Sequence, residues 1–74
     1  MLTLYGTAGC HLCEEAQDLL EALSLPAHHV DVAGDEDLLE RYGVRIPVIR
    51  RTDGAELGWP FTAADLLSFA PPRV

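Results

Sequence analysis

The sequence predicts a three-layer α/β fold in which a four-stranded mixed sheet is flanked by helices, in the order β-α-β-α-β-β-α. Two observations indicate this class. Strand-like and helix-like patterns alternate over the first half of the chain, and the second half contains a hairpin turn followed by one more helical pattern. A chain of 74 residues is the size of one small domain, so we expect residues 1–74 to form a single unit.

The first half of the chain carries a strand, a helix and a second strand. The apolar run Leu2–Tyr5 predicts a short strand that Gly6 ends. Apolar residues then recur at helical spacing with acidic residues between them, so a helix is expected over about 11–24, with Pro26 stopping it. The alternating run His28–Val32 predicts the second strand.

The second half opens with a short helix and a pair of strands. The run Glu36–Tyr42 predicts the helix, and Gly43 is placed to end it. Pro47–Arg50 predicts the third strand, and the turn at Thr52–Gly54 leads into a fourth strand at Glu56–Leu57.

The last helix has a start signal and a stop signal of its own. Thr62 is a good N-cap residue, and Asp65 follows three positions later in a pattern that resembles a capping box. We expect this helix to reach about Phe69 and to be stopped by Pro71 and Pro72, because proline cannot continue a helix.

Composition and charge exclude several classes of function. The chain carries 12 acidic against 5 basic residues, a net charge of −7, and all the basic residues are arginine. Nucleic acid is therefore not an expected partner, because binding to phosphates needs a basic patch. No signal peptide and no run long enough to span a membrane are visible. We therefore expect a cytoplasmic protein without membrane contact, in a compartment where thiols are mostly reduced.

The most informative motif is the cysteine pair Cys10 and Cys13, in the run Thr7–Cys13 that follows the first strand and opens the first helix. Residues three apart on a helix have Cβ atoms about 5–6 Å apart, which is close enough for a disulfide. The first thiol falls at the helix N-terminus, where free N–H groups and the helix dipole favour a thiolate. This context favours redox chemistry over a purely structural pair.

A zinc site is the alternative use of such a pair. Zinc in a structural site needs about four ligands. The candidate ligands, which we do not expect to converge on one metal ion, are Cys10, Cys13, His11, His28 and His29. Adjacent residues of a strand point to opposite faces, so His28 and His29 diverge, and His11 diverges from Cys13 on the helix. We therefore predict no metal site within a single chain.

The element order, with Cys-x-x-Cys opening the first helix, resembles the thioredoxin fold in its small glutaredoxin-like form. The matching pieces are Thr7–Cys13, Arg45-Ile46-Pro47, and Asp53-Gly54 with Gly58. Within that class the chain resembles a bacterial branch of glutaredoxin-like proteins marked by Cys-x-Leu-Cys. The resemblance implies a cis-proline at Pro47 facing the cysteines. It also implies that the backbone of Ile46 holds an extended substrate peptide by strand addition.

The resemblance implies dithiol–disulfide exchange, with Cys10 as the attacking thiolate and Cys13 as the resolving thiol. A protonated His11 would favour the Cys10 thiolate, whereas Glu14 and Glu15 would oppose it; the sequence leaves the balance open. The residues expected to contact substrate on the same resemblance are His11, Leu12, Ile46, Pro47, Tyr5 and Trp59. Simple packing is the alternative for Tyr5, and a place in the core is the alternative for Trp59 and Phe61.

Three departures from the glutaredoxin pattern bear on the electron donor. His11-Leu12 replaces the usual Pro-Tyr between the cysteines, no lysine precedes Cys10, and Gly58–Phe61 stands where glutaredoxins carry a Gly-Gly pair. Arg45 is a candidate clamp for a glutathione carboxylate, and the alternative for Arg45 is a solvated surface position. The departures lean against standard glutathione use, and a redoxin that is recharged by thioredoxin reductase is the alternative.

The expected partners follow from this chemistry. They are a disulfide-containing protein or small molecule as substrate, and either a reductase or glutathione as electron donor. We expect no tightly bound cofactor, with glutathione as one of the two candidate co-substrates, and a monomeric chain. The alternative outside this class is a binding module of the same fold whose cysteines do not turn over.

Overall fold

The computed structural model describes residues 2–69, and a four-stranded mixed sheet forms its centre. The strands are β1 (Leu2–Gly6), β2 (Ala27–Asp31), β3 (Val48–Arg50) and β4 (Glu56–Gly58). Their order across the sheet is β2-β1-β3-β4. β1 runs parallel to β2 and antiparallel to β3, and β3 runs antiparallel to β4. The predicted mixed sheet is therefore confirmed.

Three α-helices lie within the described residues, in the predicted order. They are α1 (His11–Ala22), α2 (Glu36–Tyr42) and α3 (Ala63–Phe69). A one-turn 3-10 helix, Val32–Gly34, joins β2 to α2. The predicted stop signal at Pro71 and Pro72 lies outside the described residues.

Several boundaries differ from the sequence prediction by one or two residues, and two of these differences have a clear local cause. The first helix ends at Ala22, two residues early, because Ser24 adopts a left-handed backbone conformation with φ of 56°. The chain therefore leaves the helix before Pro26 can act. The second strand ends at Asp31, because the Asp31 carboxylate accepts a hydrogen bond from the Ala33 N–H (2.9 Å) and draws Val32 into the 3-10 turn.

The end of α2 also differs from the expected type. Gly43 follows the helix as predicted, but its φ is −52°, so it does not use the left-handed conformation that favours glycine at this position. Its usefulness is steric instead, because a Cβ at Gly43 would collide with the Leu39 carbonyl oxygen.

The capping box predicted for the last helix is confirmed. The Thr62 hydroxyl accepts from the Asp65 N–H at 3.2 Å, and the Asp65 carboxylate accepts from the Thr62 N–H at 2.9 Å. At the start of α2, the Asp35 carboxylate accepts from two backbone N–H groups in the same way. Both short helices therefore begin on a side-chain oxygen that satisfies otherwise unpaired donors.

The sheet carries apolar residues on both faces. On the face covered by α1 and α3, the buried cluster consists of Leu2, Leu4, Ala16, Leu20, Ile49, Phe61 and Leu66. On the face covered by α2, the cluster consists of Tyr5, Val32, Tyr42 and Val48. The alternation of Leu4 with Tyr5 and of Val48 with Ile49 sends successive side chains to opposite faces. The result is the predicted helix–sheet–helix arrangement.

The turn between β3 and β4 is tied to the last helix by one arginine. Arg51 forms an ion pair with Asp53 and donates to the Phe69 carbonyl at 2.9 Å. The Arg51 guanidinium lowers the pKa of Asp53 to about 2. Gly54 takes a left-handed conformation (φ 94°) that the turn needs. The predicted hairpin turn is therefore confirmed.

The three α-helices α1, α2 and α3 are short. Within residues 2–69, none combines the length and apolar character needed to cross a bilayer.

The same substitution, valine to alanine, at two positions tests the packing of the core on the α2 side. Val48 is fully buried, whereas Val44 is 98% exposed. We expect Val48→Ala to lower the free energy of unfolding by about 2 kcal/mol, because it leaves a cavity. Val44→Ala should change it by less than about 0.5 kcal/mol. Urea denaturation measures both, and equal effects would contradict the described packing.

Candidate functional site

The cysteine pair is positioned by the turn between β1 and α1. β1 ends at Gly6, the loop residues Thr7–Gly9 reverse the chain, and Cys10 precedes the first residue of α1. The Cys10 N–H donates to the Thr7 carbonyl at 3.4 Å, which closes the turn. Gly9 has a φ of 77°, a left-handed conformation that is strained for other residues. The loop therefore delivers Cys10 to the N-terminus of α1.

Cys10 is the N-cap residue of α1. Its backbone is extended (φ −84°, ψ 113°), its carbonyl accepts the first helical hydrogen bond from the Glu14 N–H (3.2 Å), and its Sγ accepts from the Cys13 N–H at 3.2 Å. The sulfur thus occupies the place that a serine or aspartate oxygen takes in an ordinary cap. Partial positive charge at the helix N-terminus stabilises negative charge at that position.

Cys13 lies one turn into the helix and is buried, with only 7% of its surface exposed, whereas Cys10 is half-buried. The two form a disulfide in this structure, with Cα atoms 5.2 Å apart. Cys13 packs on Gly6, where an added Cβ would lie 3.0 Å from the Cys13 Sγ. The pair is therefore asymmetric, with one accessible sulfur and one sulfur enclosed against the sheet.

Pro47 immediately precedes β3, at the same end of the central strands as the cysteine loop. Tyr5 pairs with Val48, so Pro47 adjoins the end of β1 where Gly6 lies. The Ile46–Pro47 bond is cis, as the resemblance implies, and Pro47 is fully buried. The Pro47 carbonyl accepts from the Trp59 N–H at 3.1 Å. The Ile46 N–H donates to a helix carbonyl, that of Tyr42, at 3.0 Å.

The loop before Pro47 is anchored by a polar cluster on the α2 side. The Tyr42 hydroxyl donates to Glu56 at 2.5 Å, and Arg45 forms an ion pair with the other Glu56 oxygen at 3.3 Å. The Tyr5 ring stacks on the Tyr42 ring with centroids 4.3 Å apart. The Tyr42 hydroxyl, and secondarily Arg45, lower the pKa of Glu56. Tyr5 thus packs in the core, and Arg45 holds β4 against the loop.

The other residues expected to contact substrate differ in how exposed their side chains are. His11 and Leu12 are exposed in the first turn of α1, and Leu12 shows 41% of its surface. Trp59 is half-buried, packs against the α1-side core and meets the buried Phe61 ring edge-on at 5.0 Å. The structure therefore brings His11 and Leu12 beside Cys10 on the surface, while Trp59 contributes mainly to packing.

A cavity of about 290 Å³ opens behind Cys13, between α1 and the end of β2. Besides Cys13, its polar lining residues are Thr7, Glu14, Gln17, His29 and Asp31. Sequence reasoning did not place His29 or Asp31 near the cysteines. Alternation along β2 predicts that His29 and Asp31 share a face, but only the register, which pairs them with Leu4 and Gly6, places that face on the side of the cysteines.

The side chains of residues 2–69 form no cluster that could bind a metal ion. Among residues 2–69, no three histidine, cysteine or acidic side chains are placed to hold one metal ion. The candidate zinc ligands named from the sequence therefore do not form a cluster.

Comparisons with known proteins point to one family. The sequence profile described as "Glutaredoxin-like domain (DUF836)" matches residues 1–69. The crystal structure of the structural-genomics target XcR50 from X. campestris is 40% identical, with a TM-score of 0.88 over 93% of each chain. Its solution structure is 39% identical, with a TM-score of 0.84 over 99% of this chain and 97% of that one.

A third solved structure is similar over a comparable length. The solution structure of Ne2328 from Nitrosomonas europaea is 28% identical, with a TM-score of 0.78 over 92% of this chain and 87% of that one. These likenesses confirm the thioredoxin-like fold. No curated protein matches the chain.

The cluster around Glu56 makes stability depend on pH. Glu56→Gln should lower the free energy of unfolding by about 1 kcal/mol at pH 7, the difference between a charged and a neutral hydrogen bond. Because the pKa of Glu56 is lowered in the folded state, this contribution is complete above the unfolded value and is lost as the pH falls through the folded value. The difference in the free energy of unfolding between the wild type and the Glu56→Gln variant should therefore disappear at acidic pH.

The matched control is the exposed Glu40 on α2. Glu40→Gln should change stability by less than about 0.5 kcal/mol at either pH. Urea denaturation at pH 7 and in acid measures both variants. A Glu56→Gln deficit that stays constant or grows in acid would contradict the role of the carboxylate.

Proposed function

The chain belongs to the glutaredoxin-like domain family (DUF836), and from that premise we propose that it is a thiol–disulfide oxidoreductase whose redox dithiol is Cys10 and Cys13. The observation that carries the proposal is the hydrogen bond from the Cys13 N–H to the Cys10 Sγ at the start of α1. A sulfur in that position is pre-arranged to carry negative charge, and the thiolate is the nucleophile of disulfide exchange.

The reaction has two exchange steps. The Cys10 thiolate attacks one sulfur of a substrate disulfide, forms a mixed disulfide and releases the other substrate sulfur, which takes a proton. The Cys13 thiolate then attacks the Cys10 sulfur, forms the intramolecular disulfide and releases the second substrate thiol. Two electrons pass from the cysteines to the substrate, and the disulfide in this structure is the oxidised product.

Two influences on the Cys10 thiolate oppose each other: the Cys13 N–H donor stabilises it, and the carboxylates of Glu14 and Glu15 repel it. A hydrogen bond to a charged group is worth about 1.5–3 kcal/mol, whereas an exposed charge pair contributes about 0–1 kcal/mol. Glu14 and Glu15 are both exposed, so solvent screens their repulsion of a thiolate. From these magnitudes we propose that the backbone donor outweighs them and favours the thiolate form of Cys10.

The surface beside Cys10 fits an extended, disulfide-bearing peptide. Leu12 and His11 are exposed next to the sulfur, and Pro47 faces the end of β1. Since the Ile46 N–H already donates to Tyr42, the Ile46 carbonyl is the backbone group proposed to accept from the substrate. We place this reaction in the cytoplasm, where such disulfides are transient, and assign it to a monomeric chain.

A protein reductase is the electron donor that the site favours over glutathione. Glutathione carries two carboxylates, which need cationic partners. The loop Thr7–Gly9 contains no basic residue, and the Arg45 guanidinium is paired with Glu56. Within the proposed dithiol chemistry, a redoxin recharged by thioredoxin reductase is therefore favoured over a glutathione-dependent glutaredoxin.

Single cysteine variants test the function. In an insulin-reduction assay with each recycling system, Cys10→Ser should lower the rate to that of the uncatalysed reaction. Cys13→Ser should attack once and remain trapped as a mixed disulfide that mass spectrometry detects, because the resolving thiol is missing. We expect faster turnover with thioredoxin reductase than with glutathione.

The opposite set of results would favour a binding module of the same fold. That set is no reduction by the wild type with either system, and a Cys10→Ser variant that behaves as the wild type does.

A further inference from the structure

We propose that His29 is the acid–base group that takes the proton from the Cys13 thiol through the cavity behind it. This inference rests on the proposed function and concerns its second step, the attack of Cys13 on the mixed disulfide. Cys13 is buried, with 7% of its surface exposed, and packs against Gly6; it lines the solvent-open cavity of about 290 Å³ together with His29.

The strand register places His29 on the side of the sheet that carries α1. His29 pairs with Leu4 in the parallel ladder. Its neighbours in β2 fix the orientation, because Ala27 packs against the α1-side core and Val30 against the α2-side core. His29 and Asp31 alternate with Val30 and therefore face the cavity, while His28 faces the other side of the sheet.

The other titratable groups that face His29 are two carboxylates. Glu14 lines the cavity from α1 and Asp31 from β2, while the lining residues of β1 and its loop carry no charge. A carboxylate is a weak base at neutral pH, and Asp31 already accepts from the Ala33 N–H. Histidine is the side chain that exchanges protons near neutral pH.

The proton balance of the step is complete. The imidazole of His29 receives the proton from the Cys13 Sγ, directly or through a water molecule, which a cavity of this size can hold. The Cys13 thiolate then attacks the Cys10 Sγ, the Cys10–substrate S–S bond breaks, and the leaving thiolate takes a proton from solvent. The two electrons move to the substrate as in the proposed reaction.

The expected size of the effect follows from thiol ionisation. An ordinary thiol with a pKa of about 8.5 is about 3% ionised at pH 7, so full deprotonation accelerates its attack by at most about 30-fold. We expect His29→Gln to slow the Cys13 step by about tenfold at pH 7, with the ratio to wild type falling as the pH rises towards 9, because a larger fraction of the thiol then ionises without a base.

The test is a stopped-flow reaction of the reduced full chain with dithiobis(nitrobenzoate). Cys10 attack releases the first nitrothiobenzoate in a second-order phase, and Cys13 attack releases the second in a first-order phase. His29 is exposed, so its replacement should leave the fold intact. The matched control is His28→Gln, the adjacent residue on the opposite face, which should behave as the wild type does at every pH.

The outcomes separate this inference from the proposed function. A first-order phase that His29→Gln leaves unchanged, or slows equally from pH 7 to pH 9, would overturn the role of His29 alone. Equal slowing by His28→Gln would also overturn it. A wild-type protein that never releases the second nitrothiobenzoate would overturn the inference and the dithiol function together.

Discussion

The position of the Cys10 sulfur at the N-cap of α1 is the constraint on which the account of this site depends. A sulfur that accepts the Cys13 N–H must stand where the helix begins, so the start of α1 sets the geometry of the dithiol. That start is held by packing: Ala16 and Leu20 bury α1 against the sheet, and Cys13 rests on Gly6. A shift of α1 along β1 would move both sulfurs relative to Gly6 and to Pro47.

Each face of the sheet positions a different part of the site. The α1 side holds the dithiol and the cavity behind Cys13. The α2 side holds the loop that presents Ile46 and Pro47, through Tyr42 and its hydrogen bond to Glu56. β1 and β3 connect these halves, because the pairing of Tyr5 with Val48 aligns the end of one strand with the start of the other. The pairing register of β1 and β3 therefore brings the cysteine loop and the loop before Pro47 to the same end of the two central strands.

Local patterns in the sequence were sufficient for the element order, the capping box at Thr62 and the place of the cysteines. They were insufficient where tertiary contacts decide. The left-handed Ser24 ends α1 before Pro26, and the Asp31 cap shortens β2, although no periodicity marks either event. The ion pair of Arg45 with Glu56 spans 11 positions. The cavity that joins Cys13 to His29 arises from strand register, which a linear reading of the chain does not supply.

The most direct test of the central claim is the pH dependence of Cys10 alkylation. The Cys13→Ser variant retains the backbone N–H at position 13 and leaves Cys10 as the chain's one thiol. We expect the rate of reaction with iodoacetamide to reach half its maximum below pH 8.5, which is about the pKa of an ordinary thiol, because the N-cap position favours the thiolate. A midpoint at or above pH 8.5 would contradict the claim that the helix start activates Cys10.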